Sequence, residues 1–339
     1  MKRPLALLCA FLSVSSLPAA VPVSGTGSYS QNFDTLPASG SAGWSQGITL
    51  PSWYVHRSTL GVPSSIAVTN GSGSWSQGLY SMGISGGADR ALGSAPTTSH
   101  GVYSTAVIFQ NTGSTLIRLT RVRYRTEIYR TNQSLSTAES ILFSWKTAAQ
   151  QSTLVNELNT TGQLSGWTAD AGLSSPSITF NGAGMPGSSG QVNPPVAIAK
   201  DAAPALDILV PAGQFVALRW LDSNEANSDA YLALDDVVVD WASVSCAITT
   251  QITNNTRNEN GTALESDDTW AFQLAINGIG TGTRGWTIPA LGLSGNYGTT
   301  IPVQPSLSQS PLNITIQDVE DPDCTAQISV AIPCSALSE

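Results

Sequence analysis

Acidic and amide side chains crowd one stretch of the sequence and could bind a hard metal ion. The set is Asp222, Asn224, Glu225, Asn227, Asp229, Asp235 and Asp236. Calcium takes about six to eight oxygen ligands, which a carboxylate-rich loop between two strands can supply. We therefore predict a structural Ca²⁺ ion, whose ligands would be Asp222, Asn224, Asp229, Asp235 and Asp236. The alternative is a solvated turn in which Asp235 or Asp236 pairs with an arginine such as Arg90 or Arg219.

Three arginines alternate with other residues along residues 117–130. Arg121, Arg123 and Arg125 fall on one face of an extended strand, because successive side chains of a strand point to opposite faces. The other face carries Val122, Tyr124 and Ile128. Guanidinium groups bind sulfate or carboxylate through paired hydrogen bonds, so these arginines are candidate ligands for an acidic glycan. The alternative is an exposed face balanced by neighbouring acids, including Glu127.

Tryptophan side chains form a second kind of candidate sugar site. Trp44, Trp75 and Trp167 are flanked by serine and glycine, which favours loops, and flat rings stack on the apolar face of a sugar. We therefore predict that these three tryptophans form an exposed binding platform. A role in the core or in holding a loop is the alternative for each. The tryptophans at 145, 220 and 241 lie in strand-like runs and are expected in the core.

Catalytic motifs are scarce. The chain has 2 histidines, His56 and His100, with no Gly-x-Ser-x-Gly nucleophile motif and no grouping of His and Cys that would hold zinc. No glycine-rich phosphate loop precedes a helix. These patterns predict a protein that is not an enzyme. A lyase or hydrolase acting through Arg90, His100 and a tyrosine is the alternative.

Composition favours an all-β protein. Of the 339 residues only 11% are charged and 41% are hydrophobic, and 31 glycines and 19 prolines supply turns. The net charge of -9 disfavours binding to a phosphate backbone, so we expect no nucleic-acid partner.

The N-terminal segment has the layout of a secretory signal peptide. Lys2 and Arg3 precede an apolar run over residues 5–17, and Ala19 and Ala20 follow it. We predict a signal peptide over residues 1–20, although Pro18 leaves the cleavage site open. The mature chain is then expected to be secreted or on the cell surface. No later run is long and apolar enough to cross a membrane.

Short β-rich runs separated by turn residues predict two sandwich domains, at residues 25–243 and 244–335. The first contains runs at 53–57, 65–69, 79–84, 103–111, 117–130, 141–146, 215–222 and 231–241. The second contains runs at 247–252, 270–276, 286–289, 299–303, 312–317 and 325–332. Residues 215–222 alternate apolar side chains on both faces, so this strand is expected to be covered on both sides. Residues 182–195, rich in Gly, Ser and Pro, predict a surface loop.

Three cysteines remain after the signal peptide. Cys246 opens the first strand of the second domain, Cys324 opens the last strand, and Cys334 closes it. In immunoglobulin-like sandwiches these two strands often run side by side and parallel, so Cys246 and Cys324 can meet, whereas Cys334 would lie about 30 Å further along. We predict a Cys246–Cys324 disulfide. Cys334 either opens a further, incomplete repeat or is a free or intermolecular thiol.

Several motifs together resemble the N-terminal module of large secreted multidomain proteins of environmental bacteria. They are residues 32–36 (NFDTL), 78–83 (GLYSMG), 89–93 (DRALG), 109–113 (FQNTG), 124–130 (YRTEIYR), 218–220 (LRW) and 234–237 (LDDV). The second domain resembles the immunoglobulin-like repeats of such proteins, through residues 267–272 (DDTWAF), 295–298 (GNYG) and 318–324 (DVEDPDC). The resemblance implies a lectin-like jelly-roll β-sandwich followed by a smaller immunoglobulin-like β-sandwich, and no chemistry of their own.

Two functional hypotheses follow. The first is a non-catalytic exported binding or structural module that recognises a polysaccharide, a cell-surface glycan or the extracellular matrix, or serves in cell-surface display. The second is the accessory N-terminal part of an extracellular hydrolase or nuclease, whose catalytic domain, or further repeats, would belong to longer relatives.

Overall fold

The computed structural model describes residues 18–73, 76, 78–159, 166–181, 185–225, 229–244, 246–258, 268–281 and 284–333. The chain divides into two compact units, Met1–Ala242 and Ser243–Glu339. Most of the predicted signal peptide, residues 1–17, lies outside the described residues, as does Cys334. Next to it, the carbonyl oxygens of Pro18 and Ala19 accept hydrogen bonds from the Gln151 amide and the Ser52 hydroxyl, at 2.6 and 2.7 Å.

The described part of the first unit contains fifteen strands and one α-helix. These are β1 (Val21–Val23), β2 (Gly27–Gln31), β3 (Ser41–Gly43), β4 (Trp53–Arg57), β5 (Ser65–Thr69), β6 (Gly78–Met82), β7 (Ala91–Ala95), β8 (Tyr103–Asn111), β9 (Leu116–Arg130), β10 (Ile141–Ala148), α1 (Gln151–Asn159), β11 (Thr168–Ala169), β12 (Gln191–Ala202), β13 (Leu209–Val210), β14 (Phe215–Asp222) and β15 (Tyr231–Val244).

Two sheets organise these strands. A six-stranded sheet has the order β1-β8-β14-β10-β11, with β4 also paired to β8. A nine-stranded sheet has the order β12-β9-β15-β7-β6-β5-β3, with β13 paired to β9 and β2 to β15. The all-β sandwich expected from the composition is therefore confirmed.

Aromatic rings fill the core between the sheets. Trp53 and Trp220, from two strands of the six-stranded sheet, stack with centroids 5.8 Å apart. Tyr124 from the facing sheet meets Trp220 edge-on at 5.8 Å, and Phe33 meets Trp53 in the same way at 4.9 Å. Each such side chain buries a large apolar area, and the edge-on geometry adds favourable ring electrostatics.

The long strand β9 alternates as its sequence predicted. Val122, Tyr124 and Ile128 are buried in the core, whereas Arg121 and Arg125 are exposed on the outer face. One face of this strand therefore helps to form the sandwich core, and the other carries charge.

The stretch predicted as a loop at 182–195 ends in a strand instead. Strand β12 begins at Gln191 and contains Pro194 and Pro195, with a register shift between Gln191 and Val196. Strand β12 is at the edge of its sheet, so a proline whose N–H would point away from the neighbouring strand removes no hydrogen bond between strands. The register shift also leaves residues between Gln191 and Val196 unpaired with β9. The loop prediction is wrong for residues 191–195.

Helix α1 was not anticipated from the sequence. Its buried residues Leu154, Val155 and Leu158 pack on Ala106 and Ala217 of the six-stranded sheet, on the side opposite the core. Small side chains on β8 and β14 leave room for this helix. All residues of β14 from Val216 to Asp222 are consequently buried, in agreement with a strand covered on both sides.

The second unit is a smaller sandwich. It contains β16 (Ala247–Asn258), β17 (Thr269–Ile279), β18 (Trp286–Ile288), β19 (Leu293–Gly295), β20 (Thr299–Val303), β21 (Leu312–Asp318) and β22 (Thr325–Val330), with short 3₁₀ turns at Pro289–Leu291 and Leu307–Gln309. One sheet has the order β16-β17-β20 and the other β19-β18-β21-β22. Trp270, Phe272 and Trp286 lie in its core.

A disulfide joins the two ends of this unit. Cys246 and Cys324 are bonded, with their Cα atoms 6.0 Å apart and a sequence separation of 78. Cys246 directly precedes β16 and Cys324 directly precedes β22, so the bond links the beginnings of the first and last strands. As for membrane association, none of the helices in the described ranges has the length and apolar character needed to cross a bilayer.

Candidate functional site

Three carboxylates meet at one end of the first sandwich. Glu139 lies two residues before β10, while Glu225 and Asp229 lie in the connection from β14 to β15. One carboxylate oxygen from each of the three lies within 4.8 Å of the others. The pairing of β10 with β14, which sets Ile141 opposite Asp222, brings Glu139 to this loop. We refer to Glu139, Glu225 and Asp229 as the carboxylate cluster.

Hydrogen bonds hold Glu139 in place. The backbone N–H of Ala230 donates to both of its carboxylate oxygens, at 3.0 and 3.1 Å, and the Asn132 side-chain amide donates to one of them. Asn132 is itself fully buried. These hydrogen bonds therefore fix the position of the Glu139 carboxylate within the carboxylate cluster.

The other two members have unused oxygens. Asp229 is only 3% exposed, and neither of its carboxylate oxygens has a hydrogen-bond donor at good distance and angle, although the backbone N–H of Glu225 lies near enough to oppose the rise in its pKa. One oxygen of Glu225 is also buried without a hydrogen-bond partner. Nearby, Asp222 is buried and accepts a 2.5 Å hydrogen bond from the Ser94 hydroxyl. Buried polar atoms normally have hydrogen-bond partners, so the oxygens of Asp229 and Glu225 that lack one are unusual.

The acidity of the cluster reflects its burial. Burial, reinforced by repulsion from Glu139 and Glu225, raises the pKa of Asp229 to about 8. Burial likewise raises the pKa of Glu139 to about 7, against the opposing effect of its hydrogen bonds from Ala230 and Asn132. Burial raises the pKa of Asp222 and of Glu225 in the same direction. Removing carboxylates from water disfavours their charged form, and crowding them adds to that effect.

The calcium ligand set predicted from the sequence does not form one site. Asp222 and Asp229 lie at the carboxylate cluster, and Asn224 is half-buried in the same loop. Asp235 and Asp236, in contrast, lie on β15, about 20 Å along an extended strand from Asp229. The prediction of a single site is therefore wrong, because the strand carries the last two acids away from the loop. Asn227 lies outside the described residues.

Asp235 and Asp236 belong to a second acidic region. Burial, then repulsion from Asp236, Glu127 and Asp89, raises the pKa of Asp235 to about 7. Asp236 is exposed and pairs with Arg125 at 3.3 Å, not with Arg90 or Arg219. The expected pairing of Asp235 or Asp236 with an arginine is therefore seen for Asp236, although the residue lies in a strand and not in a turn.

The basic stripe on β9 is neutralised by three aspartates. Arg121 donates two hydrogen bonds to Asp201 of β12, at 2.5 and 2.7 Å. Arg123 pairs with Asp240 of β15 at 2.8 Å, and Arg125 pairs with Asp236. The structure contradicts a free basic stripe at Arg121, Arg123 and Arg125 and matches the balanced face that was the alternative. Such exposed pairs contribute little to stability, about 0–1 kcal/mol each.

The predicted tryptophan platform is wrong for two of its three members. Trp44 is 5% exposed, and its indole N–H donates to the Gln46 side chain at 3.0 Å. Trp167 is 8% exposed and is covered by the guanidinium of Arg219, 3.9 Å from its ring centre. Serine and glycine neighbours indicated loops correctly, but these loops fold onto the sandwich. Trp75 lies outside the described residues and stays a prediction.

The groups suggested for catalysis serve the fold. Arg90 is 1% exposed and donates from its guanidinium to the Ser81 hydroxyl at 2.8 Å, to the Ser81 carbonyl, and to the Ile84 carbonyl at 2.9 Å. His100 shares a 2.9 Å hydrogen bond with Tyr103, and His56 is buried. The guanidinium of Arg90 is therefore enclosed by the residues that it braces.

Comparison with known proteins gives no family. No protein-family model matches the sequence, and no curated protein matches it. Among solved structures, the K2 cleaved adhesin domain of Lys-gingipain (Kgp) aligns at 14% identity over 62% of this chain and 97% of that chain, with a TM-score of 0.31. The K1 cleaved adhesin domain of Lys-gingipain from Porphyromonas gingivalis W83 aligns at 14% identity over 63% and 97%, with a TM-score of 0.27.

A glycoside hydrolase domain aligns as well. It is that of Endo-D from Streptococcus pneumoniae R6, at 9% identity over 73% of this chain and 34% of that chain, with a TM-score of 0.21. At these identities and TM-scores none of the alignments bears on ligand or activity, so function has to be argued from the residues themselves.

Proposed function

We propose that this chain is a non-catalytic, exported binding module of the cell surface or extracellular space, with a glycan or a matrix component as its ligand. The observation that supports this proposal most directly is that the arginines that could take part in chemistry are already engaged in contacts within the protein. Within the described ranges, Arg90 and Arg219 are buried and brace the fold, and Arg121, Arg123 and Arg125 of β9 are each paired with an aspartate. Groups engaged in this way hold the fold and leave none of themselves for proton transfer or nucleophile activation.

The same pairing favours a neutral ligand. A sulfated or carboxylated glycan would have to displace Asp201, Asp236 and Asp240 from their arginines, and the net charge of -9 adds long-range repulsion. A neutral polysaccharide meets neither obstacle. It is recognised by hydroxyl and amide groups and by aromatic stacking. We therefore include neutral sugars, and not acidic ones, in the proposal.

We also propose a specific fold type for each of the two units. Seven strands in sheets of three and four support an immunoglobulin-like type for the second unit. A lectin-like jelly roll for the first unit is supported by its two large sheets packed around one core. In this proposal the first unit carries the ligand site and the second acts as a spacer.

A glycan array tests this function. The exported chain should bind at least one neutral polysaccharide and should show no retention on heparin at physiological salt. Substituting Arg121, Arg123 and Arg125 together by glutamine should leave neutral-glycan binding unchanged, whereas Trp75→Ala tests the remaining platform candidate. Heparin binding that the triple arginine variant abolishes would contradict the neutral-ligand proposal.

Incubation with polysaccharides and nucleic acids separates a binding module from an enzyme. We expect no released oligosaccharide and no cleaved nucleic acid after prolonged incubation of the purified chain. Product release by this chain would overturn the non-catalytic assignment. The second hypothesis, an accessory part of a hydrolase or nuclease, predicts activity only in a longer relative that carries a further domain.

A further inference from the structure

We propose that the carboxylate cluster of Glu139, Glu225 and Asp229 binds a divalent cation, Ca²⁺, which fastens the connection between β14 and β15. This site differs from the one expected from the sequence, since it requires Glu139 and excludes Asp235 and Asp236. The inference is independent of the proposed glycan binding. A chain that binds no sugar can still hold this ion.

Like charges converge at the carboxylate cluster. Three carboxylate oxygens lie within 4.8 Å of one another, and Asp222 is buried beside them. Like charges this close repel strongly once water is excluded. Among the described residues no lysine or arginine pairs with any of the three. A bound divalent cation removes that repulsion directly.

Asp229 points to a bound ion independently of this charge repulsion. Asp229 is 3% exposed, and neither of its carboxylate oxygens has a hydrogen-bond donor at good distance and angle, yet one of them lies within 4.8 Å of the carboxylate oxygens of Glu139 and Glu225. A protonated carboxyl would satisfy one oxygen at most by sharing its proton. A metal ion can engage both oxygens, because aspartate binds calcium with one oxygen or with two.

The donor set selects the class of ion. Carboxylate oxygens without imidazole or thiolate favour hard cations over zinc or copper. Calcium tolerates irregular sets of about six to eight oxygens, which the carboxylates of the cluster and water can make up, whereas Mg²⁺ demands a near-ideal octahedron. Asp222 mainly adds negative charge beside the ion and not a ligand atom, because one of its carboxylate oxygens accepts a hydrogen bond from Ser94.

The position of the ion gives it a structural consequence. Glu139 precedes β10, Glu225 follows β14, and Asp229 precedes β15. β10 and β14 belong to the six-stranded sheet and β15 to the nine-stranded sheet. An ion held by Glu139, Glu225 and Asp229 therefore ties the two sheets together at this end of the sandwich.

Binding and melting of the full chain test the proposal. After chelation and dialysis, the wild-type chain should bind one Ca²⁺ per molecule in equilibrium dialysis at about 5 mM Ca²⁺. This concentration exceeds the Kd of extracellular calcium modules, which is about 10⁻⁴–10⁻³ M. At about a hundredfold excess over Kd the Tm of the first unit should rise by about 5–10 °C. Mg²⁺ at the same concentration should raise it by less than half as much.

Asp229→Asn provides the decisive comparison, with Asp236→Asn as its matched control. Asp229→Asn should weaken Ca²⁺ binding at least tenfold. It should melt at the same or a higher temperature than wild type in chelator and at a lower temperature in calcium. Asp236→Asn, an exposed acid on β15, should bind and respond like wild type. Glu225→Gln, at a half-buried position, repeats the test should Asp229→Asn fold poorly.

Two results would overturn the proposal. The first is a wild-type chain that binds no Ca²⁺ at this concentration and melts at the same temperature with and without it, which would mean that protons neutralise the cluster. The second is loss of binding in Asp236→Asn equal to that in Asp229→Asn, which would place the ion at the other acidic region.

Discussion

Buried ionisable residues are the most informative single positions in this protein. Asp235 is 5% exposed and is surrounded by Asp236, Glu127 and Asp89. Asp236, its neighbour in the chain, is exposed and paired with Arg125. Two adjacent aspartates therefore have opposite environments, since successive side chains of a strand point to opposite faces. Sequence alone treats the two residues as equivalent.

Asp235→Asn should change the pH dependence of stability. The folded-state pKa is raised from 3.8 to about 7, so the contribution of this residue to stability is fully present below about pH 4 and is lost as the pH rises through about 7. The amide carries no charge, so the variant should be more stable than wild type at pH 8, by up to about 4 kcal/mol, and equal to it near pH 4. Urea unfolding at the two pH values measures the difference.

Asp236→Asn is the control for that experiment. It removes one exposed ion pair, and asparagine tolerates the positive φ of 48° at this position. Its effect should stay within about 1 kcal/mol at both pH values. Equal pH profiles for the two variants would show that Asp235 is not the titrating group.

Arg90→Lys should lower the free energy of unfolding and should have no effect on activity. Lysine cannot reach all three acceptors that the guanidinium serves, at the Ser81 hydroxyl and the Ser81 and Ile84 carbonyls. Leaving buried acceptors unpaired should cost about 1–3 kcal/mol. Chemical denaturation measures the loss, and an unchanged unfolding free energy would contradict a bracing role.

At the scale of elements, strands were well predicted wherever side chains alternate or form a compact apolar run. The predicted ranges 53–57, 103–111 and 215–222 coincide with β4, β8 and β14. Helix α1 and the edge strand β12 escaped prediction for different reasons. The helix is short and only weakly amphipathic, and it is stabilised by packing on the sheet; β12 contains consecutive prolines that are typical of loops.

The contact of α1 with the sheet should carry most of the stability of that helix. Leu154 is fully buried against the six-stranded sheet, so Leu154→Ala should cost about 2–5 kcal/mol. Ser152→Ala, on the exposed side of the same helix, should change stability by less than about 0.5 kcal/mol. Thermal or urea unfolding of both variants checks this, and similar losses in the two would show that the helix is not held by that face.

At the scale of the whole molecule, the disulfide should stabilise the second unit selectively. Cys246 and Cys324 close a loop with a sequence separation of 78, for which chain entropy predicts a contribution of about 4–5 kcal/mol. Replacing both cysteines by alanine should therefore speed hydrogen exchange in β16–β22. Peptides from β1–β14 should exchange at the wild-type rate and serve as the internal control. Unchanged exchange in the second unit would contradict the prediction.

The sequence by itself determined the fold class and most strand positions, because alternating side chains and turn residues are local signals. It also determined the cysteine pair, through the expected placement of the first and last strands of the second domain. Only the tertiary structure decided which polar groups meet. Glu139 joins Glu225 and Asp229 through the pairing of β10 with β14, whereas Asp235 and Asp236 are carried away along β15. The aspartate partners of the β9 arginines, and the burial of Trp44 and Trp167, likewise come from strands and loops distant in sequence. Such contacts depend on strand order and register, which short-range patterns do not encode.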